Sequence, residues 1–395
     1  MDSSNCSNSD SNSHDHANKN NMNLNSNSNN SCQVISKLLL PEDLMIYIFT
    51  LVPLTCLIDS AKYVCKSWAA TIRSSHFVEA IERQGRSKPG LYVVNHLSQN
   101  TYFLEFKDDV NCQFERIDLG TPPRMGHVIG TCDGILLLLT NDRQTFIVTI
   151  LKCWLKLNIP PFPLSVQYKV FDYSRNIARV PRTGKFKLFY VYVVEVNSDV
   201  FWYVWCVIRI GIDKSWKEIA RKEYSRNMYN DLYLLYSGGN DLYWVTEKEV
   251  IVMDVDREII LREYPLHLFS TVSTYYLLLM GDRISCIVYK DVSYEIYVLD
   301  FDSGKWFPYY EMGPFDYAAA CGHELDIMDV EFHIWINDQI IFRVFLRPDQ
   351  TDFKTVYFGY NVKTKQLTKI EGIAEGNCMV WLHTNGLVSL PSSPA

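Results

Sequence analysis

Residues 295–310, EIYVLDFDSGKWFPYY, read as an apolar strand, a tight turn at Asp302-Ser303-Gly304 and a second, aromatic strand. Ile, Val, Tyr, Phe and Trp suit a pleated, half-buried surface, and the Asp-Ser-Gly between them is turn chemistry. The pattern recurs as TYFLEFKDDVNCQFERI (101–117), TFIVTILKCWLKL (145–157), WCVIRIGIDKSWKEI (205–219), VIVMDVDREIILREY (250–264) and VYFGYNVKTKQLTKI (356–370). Phe114, Trp154, Trp216, Ile260, Trp306 and Leu367 take comparable places in the second strands, at spacings of 40, 62, 44, 46 and 61 residues. Self-similarity on that scale marks a repeat architecture in which each unit is a small sheet.

A second strand-turn-strand signal precedes most of these hairpins, at Asp133-Gly134, Gly239-Asn240, Gly281-Asp282, Asn337-Asp338 and Asn385-Gly386, with Arg182-Thr183-Gly184 a weaker member. Joined to the hairpin that follows, each makes four strands, the content of one β-propeller blade. Only LVSLPSSPA follows Asn385-Gly386, and the hairpin at 101–117 has no clear turn before it. The C-terminal strands are therefore expected to complete the blade begun near residue 91, closing the ring and removing two sheet edges. The expectation for residues 90–395 is an all-β propeller of six blades, with seven as the alternative because two spacings are long.

The N-terminal part has a different period. Residues 40–77 read LPEDLMIYIFTLVPLTCLIDSAKYVCKSWAATIRSSHF. Pro41 suits the first position of a helix, and Glu42 and Asp43 place negative charge at the positive end of its dipole. Leu40, Leu44, Ile48 and Leu51 recur at helical spacing, while Met45, Ile46 and Phe49 widen the apolar arc beyond one core contact. Pro53 ends that helix. Leu57, Ala61, Val64, Cys65, Trp68 and Ile72 form another stripe, interrupted near Val64 and Cys65, where a second and a third helix are expected to meet. The fold class read from the whole chain is thus α+β multidomain: a three-helix unit over 37–85, then the propeller.

The helical stretch resembles the F-box in Leu40-Pro41, Ile48, Pro53, Val64-Cys65-Lys66-x-Trp68, Ile72 and Ser75-x-Phe77, with Phe49 and Val52 standing where Leu is usual. Residues 90–395 resemble the F-box-associated propeller region of plant F-box proteins, through Gly130-Thr-Cys-Asp-Gly134 followed by ILLLL, LKLNIPPFP, and the strand ends at Val252–Asp256 and Leu299–Asp302. Gly238-Gly239 is the only glycine doublet, so kelch repeats are not indicated. The resemblance implies docking on a Skp-type adaptor, and through it on cullin and RING subunits of an SCF-type ubiquitin ligase. The residues it implies for docking are Leu40, Pro41, Leu44, Ile48, Leu51, Leu57, Val64, Cys65, Trp68 and Ile72. Of these, Leu40, Pro41, Leu44, Ile48, Leu57 and Trp68 are expected to be partly exposed in the free chain. The propeller would hold an unknown client protein, in the nucleus, the cytoplasm or both. An F-box protein working outside ubiquitination and a propeller-type enzyme are the alternatives.

Composition narrows the function classes. A formal net charge of −7 over 395 residues argues against a general nucleic-acid binder, which needs a basic face for phosphate. Eleven cysteines without Cys-x-x-Cys spacing support neither a disulfide framework nor a zinc ribbon. Apolar runs such as 135–139 and 204–210 are strand-sized, so no membrane span is expected. Residues 1–36 are dominated by Asn and Ser and are expected to be disordered, and His14 and His16 within them lack a third ligand. No cofactor or metal is expected.

No phosphate loop, nucleophile elbow or zinc-helix motif appears, and the carboxylates at Asp300, Asp302, Glu324, Asp326 and Asp329 read first as turn residues. Cys321-Gly322-His323-Glu324 reads as a loop, since neighbours in an extended strand point to opposite faces. The chain is therefore read as not itself an enzyme. Two stretches are expected to be long and irregular, either as recognition loops or as solvated surface: a basic one at 159–185, with Lys169, Arg175, Arg179, Arg182 and Lys185, and an acidic one at 311–331. Arg175, Arg179 and Arg182 are the candidate client contacts.

Overall fold

The computed structural model describes residues 40–53, 56–57, 60–83, 88–95, 100–108, 113–117, 126–140, 145–149, 155–160, 169–197, 200–224, 233–236, 238–246, 248–266, 275–347, 354–374, 376 and 378–385. The tail 1–36, Trp154, Pro161, Pro163 and everything from Gly386 onward lie outside them. The chain divides into two compact units, Met1–Met45 and Ile46–Ala395. The described part of the first is Leu40, Pro41 and the opening turn of helix α1 (Glu42–Leu51), where Met45 N donates to Pro41 O at 3.0 Å.

In the second unit a 3-10 turn (Ala61–Tyr63) leads to α2 (Lys66–Arg73) and α3 (Ser75–Arg83). The ring of Phe49 meets those of Trp68 at 4.9 Å and Phe77 at 6.1 Å, both edge-on, which binds the helices through one aromatic centre.

Beyond them the chain is a six-bladed β-propeller of four-stranded antiparallel sheets. Blade 1 contains β1 (Lys88–Asn95), β2 (Thr101–Asp108) and β3 (Gln113–Ile117); blade 2 is β4 (His127–Cys132), β5 (Ile135–Leu139), β6 (Thr145–Thr149) and β7 (Leu155–Asn158). Blade 3 is β8 (Lys169–Arg179), β9 (Phe186–Asn197), β10 (Val200–Arg209) and β11 (Lys217–Tyr224). Blade 4 is β12 (Tyr233–Tyr236), β13 (Asp241–Val245), β14 (Glu249–Asp254) and β15 (Ile259–Pro265). Blade 5 is β16 (Tyr275–Met280), β17 (Arg283–Lys290), β18 (Ser293–Asp300) and β19 (Lys305–Met312). After a short helix, α4 (Tyr317–Cys321), blade 6 is β20 (Ile327–Ile336), β21 (Gln339–Leu346), β22 (Lys354–Asn361) and β23 (Gln366–Lys369). The last strand, β24 (Cys378–Asn385), returns to blade 1 and pairs with β1 along its whole length, from Lys88↔Asn385 to Asn95↔Cys378. Strands β24, β4, β8, β12, β16 and β20 neighbour one another in that cyclic order, so they are the innermost strands of the ring.

The recurring hairpins are the two outer strands of each blade. Ring closure by the C-terminus occurs as expected, but with three strands from one end and a single strand from the other. Asn385 ends β24, opposite Lys88, and Gly386, the other half of the expected turn, lies outside the described residues.

The outer hairpin turns of blades 4, 5 and 6 share one mechanism. Asp254, Asp300 and Asn361 each end a third strand and accept the backbone N–H three residues on, from Arg257 at 2.7 Å, Ser303 at 3.0 Å and Thr364 at 3.0 Å. The next residue, Glu258, Gly304 or Lys365, then takes a positive φ of 61°, 68° or 60° and donates back to the strand-end carbonyl. A short side-chain acceptor followed by a left-handed residue closes the hairpin whatever lies between.

Blades are joined by aromatic side chains that are apolar along their flanks and polar at the tip. Trp216 of blade 3 donates its indole N–H to Pro160 O at 3.0 Å, and Trp306 of blade 5 does the same to Pro265 O at 3.3 Å. Tyrosine hydroxyls reach neighbouring carbonyls from Tyr236 to Arg179 at 2.6 Å, Tyr264 to Phe301 at 2.8 Å, Tyr357 to Cys378 at 2.8 Å and Tyr102 to Gly372 at 2.8 Å. The chain's 25 tyrosines thus serve in part to fill blade interfaces while satisfying backbone carbonyls there.

Candidate functional site

Helix α1 is apolar on both faces. Met45 and Phe49 are buried, whereas Leu40, Leu44, Ile48 and Leu51 are 45%, 43%, 38% and 58% exposed. Leu44, Ile48 and Leu51 stand at i, i+4 and i+7 and share one face of the helix. Further along, Tyr63 and Val64 are exposed, Trp68 is half-buried, and Cys65 caps α2 by accepting Trp68 N–H at its sulfur. Two residues assigned to docking are core instead. Leu57 has no exposed surface, and Ile72 is buried on α2 beside Thr71. Their helical spacing was legible, but which side the neighbouring helices would cover was not. The unusual Phe49 supplies the ring that Trp68 and Phe77 pack against.

The basic stretch is not one long loop, because Lys169–Arg179 forms the innermost strand of blade 3. Its arginines bind neighbouring blades. Arg175 donates from Nη1 to Thr145 Oγ1 at 2.7 Å and lies 5.2 Å over the Tyr190 ring. Arg179 pairs with Asp133 of the β4–β5 turn at 3.7 Å, and Arg182 with Asp256 of the β14–β15 turn at 3.1 Å. Arg182 keeps most of its side chain in solvent. The same seam holds a buried cation: Lys187 Nζ donates to Val255 O at 2.8 Å and Asp256 O at 2.9 Å and pairs with Glu258 at 2.8 Å. Burial would raise the Glu258 carboxyl, but hydrogen bonds from Lys187 and Lys217 outweigh it and hold it below the usual carboxylate range.

The acidic stretch is likewise more ordered than expected. Asp316 Oδ1 caps α4 by accepting Ala319 N–H at 2.9 Å, Gly322 ends it, and β20 starts at Ile327. His323 Nδ1 lies 3.2 Å from Cys321 O, so its ring meets a backbone carbonyl. Among the described residues no three His, Cys, Asp or Glu side chains converge as a metal site. No helix there is long and apolar enough to cross a membrane.

A feature not singled out from sequence lies at the turn end of blade 5. A cleft of about 430 Å³ is lined by Asp282 and Asp302 from the turns, by Arg283 at the start of β17 and by Phe307, Pro308 and Tyr309 of β19. Its sequence signals are Asp300 and Asp302, read there as turn residues, and a run of aromatics on both sides of a proline in an outer strand.

No protein-family model and no curated protein matches the chain. Among solved structures it is similar to TolB from Acinetobacter baumannii, at 10% identity over 75% of this chain and 66% of that one, with a TM-score of 0.42. An oligogalacturonate lyase in complex with manganese aligns at 9% identity over 68% and 70% of the two chains, with a TM-score of 0.39. The Aleuria aurantia lectin, a six-bladed β-propeller, aligns at 11% identity over 76% and 96%, with a TM-score of 0.36. The blade count rests on this chain's own strand pairing.

Proposed function

We propose that this chain is the substrate-recognition subunit of an SCF-type ubiquitin ligase, the F-box-like helices docking on a Skp-type adaptor and the propeller holding a client protein. The observation that carries the reading is the apolar face of α1: Leu44, Ile48 and Leu51 stay open although the opposite face of the helix is buried. An amphipathic surface helix needs one apolar face, and a second one is suited to a partner's groove. Leu40, Pro41 and Val64, also exposed and also in the F-box pattern, support it. In this reading the chain performs no chemistry; it raises the effective concentration of client lysines beside the ubiquitin-loading subunits.

Direct binding of purified full-length chain to a Skp-type adaptor tests the proposal. Burying one large apolar side chain is worth about 1.5–3 kcal/mol, so the triple variant L44A/I48A/L51A should bind more than a hundredfold more weakly. Failure of the wild type to bind, or equal binding by the variant, overturns the reading.

A further inference from the structure

The geometry of blade 5 points to a recognition site for a cationic side chain, an arginine or lysine of a partner polypeptide, in the cleft between Asp282, Asp302, Phe307 and Tyr309. Phe307 and Tyr309 are 50% and 55% exposed on the outermost strand, an expensive placement for rings that pack nothing on their open sides. Pro308 between them has no N–H to offer an added strand, so this edge is built to be read through side chains and not by β-augmentation. The rings are held in place. Tyr309 meets Trp335 of blade 6 edge-on at 6.3 Å, and the wall residue Phe301 stacks flat on Tyr243 of blade 4 at 5.7 Å.

Charge selects the occupant. Three carboxylates and one guanidinium line the cleft. Asp300 is committed, since it accepts both N–H and O–H of Ser303 and feels the charge of Arg283. Asp282 and Asp302 accept no side-chain hydrogen bond or ion pair from the described residues. Arg262 acts on Asp302 only through space, its own hydrogen bonds going to Phe301 O and the Tyr264 hydroxyl. Two open carboxylates beside two exposed aromatic faces form a cage suited to a guanidinium or ammonium, which gains from ring quadrupoles and full charges together. The volume admits one long side chain, so the partner inserts a residue and does not bury a domain.

This deepens the client-binding half of the proposed function, but the site requires no adaptor, and the test separates the two. The full-length chain, without adaptor, is used to select binders from a random peptide library, and selected peptides are measured by calorimetry. Selection of a fixed Arg or Lys is expected, with affinity falling when citrulline or norleucine replaces it. Tyr309→Ala and the pair D282N/D302N should each weaken binding about tenfold, and the pair should also remove its salt dependence. These side chains are on the surface, so melting temperatures should hold; Phe307→Ala is the second variant if one does not. Peptides without a fixed basic residue, or undiminished binding by every variant, overturn the cleft while leaving adaptor binding standing. Adaptor failure with intact peptide selection overturns only the ligase reading.

Discussion

His383 of the closing strand stands opposite Gly90 of β1, at the seam where the two ends of the chain complete one blade. A Cβ at Gly90 would fall 2.2 Å from Leu104 O and 2.5 Å from the Phe103 ring, so only glycine fits there. The imidazole is buried, both ring nitrogens lack a hydrogen-bond partner among the described residues, and the rings of Tyr92 and Phe103 approach it edge-on at 5.9 Å each.

This seam should make stability fall with acid. Burial holds the His383 pKa down to about 3, whereas the unfolded chain titrates near 6.5. Between those values the unfolded state binds a proton that the folded state refuses. Stability present above pH 6.5 is thus lost as pH drops, by about 1.4 kcal/mol per unit. His333, held to about 3 by burial and by Arg343, adds to the slope. Urea midpoints at pH 7 and pH 5 should therefore differ for the wild type and differ less for His383→Leu; equal slopes would remove His383 as the cause.

Deleting residues 378–395 removes β24 and leaves the inner edge of β1 unpaired. Size-exclusion chromatography should show aggregates or an unfolded chain. A monomer with the wild-type melting temperature would mean that the ring does not depend on β24.

The buried pair between blades 3 and 4 should be costly to break on one side. Lys187→Ala strands Glu258 with, among the described residues, only the exposed Lys217 for a partner, and a loss of roughly 3 kcal/mol is expected from urea unfolding. Loss below about 1 kcal/mol would place the pair with ordinary surface ion pairs.

The shared outer turn predicts opposite signs at equivalent positions. Lys365→Gly, at φ 60°, should stabilise by about 1 kcal/mol, because a side chain is strained in the left-handed region. Gly304→Ala should destabilise by a similar amount, with the Tyr264 ring 3.3 Å from the new Cβ. Thermal melts of the two single variants check both.

Within the helices, core and open face should separate cleanly. Phe49→Ala should cost about 3–5 kcal/mol, whereas Leu51→Ala, at an exposed position, should cost less than about 0.5 kcal/mol. Similar losses at both would mean that the open face of α1 is covered within the chain itself.

The outer hairpins were legible because their chemistry is local: Asp300 to Gly304 forms its turn from neighbours in sequence, and Trp306 falls at the point where its indole can reach the previous blade. The inner strands were harder to read. β8 carries Arg175 and Arg179 at spacings that look like a basic loop, because an inner strand pairs charged side chains with the next blade and need not alternate cleanly. Leu57 and Leu51 illustrate the same limit in the helices: both are apolar at helical positions, yet one is fully buried and the other more than half exposed.

Sequence alone determined the repeat, the turns and the change from a 3.6-residue to a 2-residue period, since each depends on interactions within a few residues. Tertiary structure alone decided which arginine meets which carboxylate, that a single strand closes the ring, and that Phe307 and Tyr309 border a cleft with Asp282 and Asp302. Those contacts join residues far apart in the chain, and their partners are set by how the six sheets pack around one axis, which no local pattern encodes.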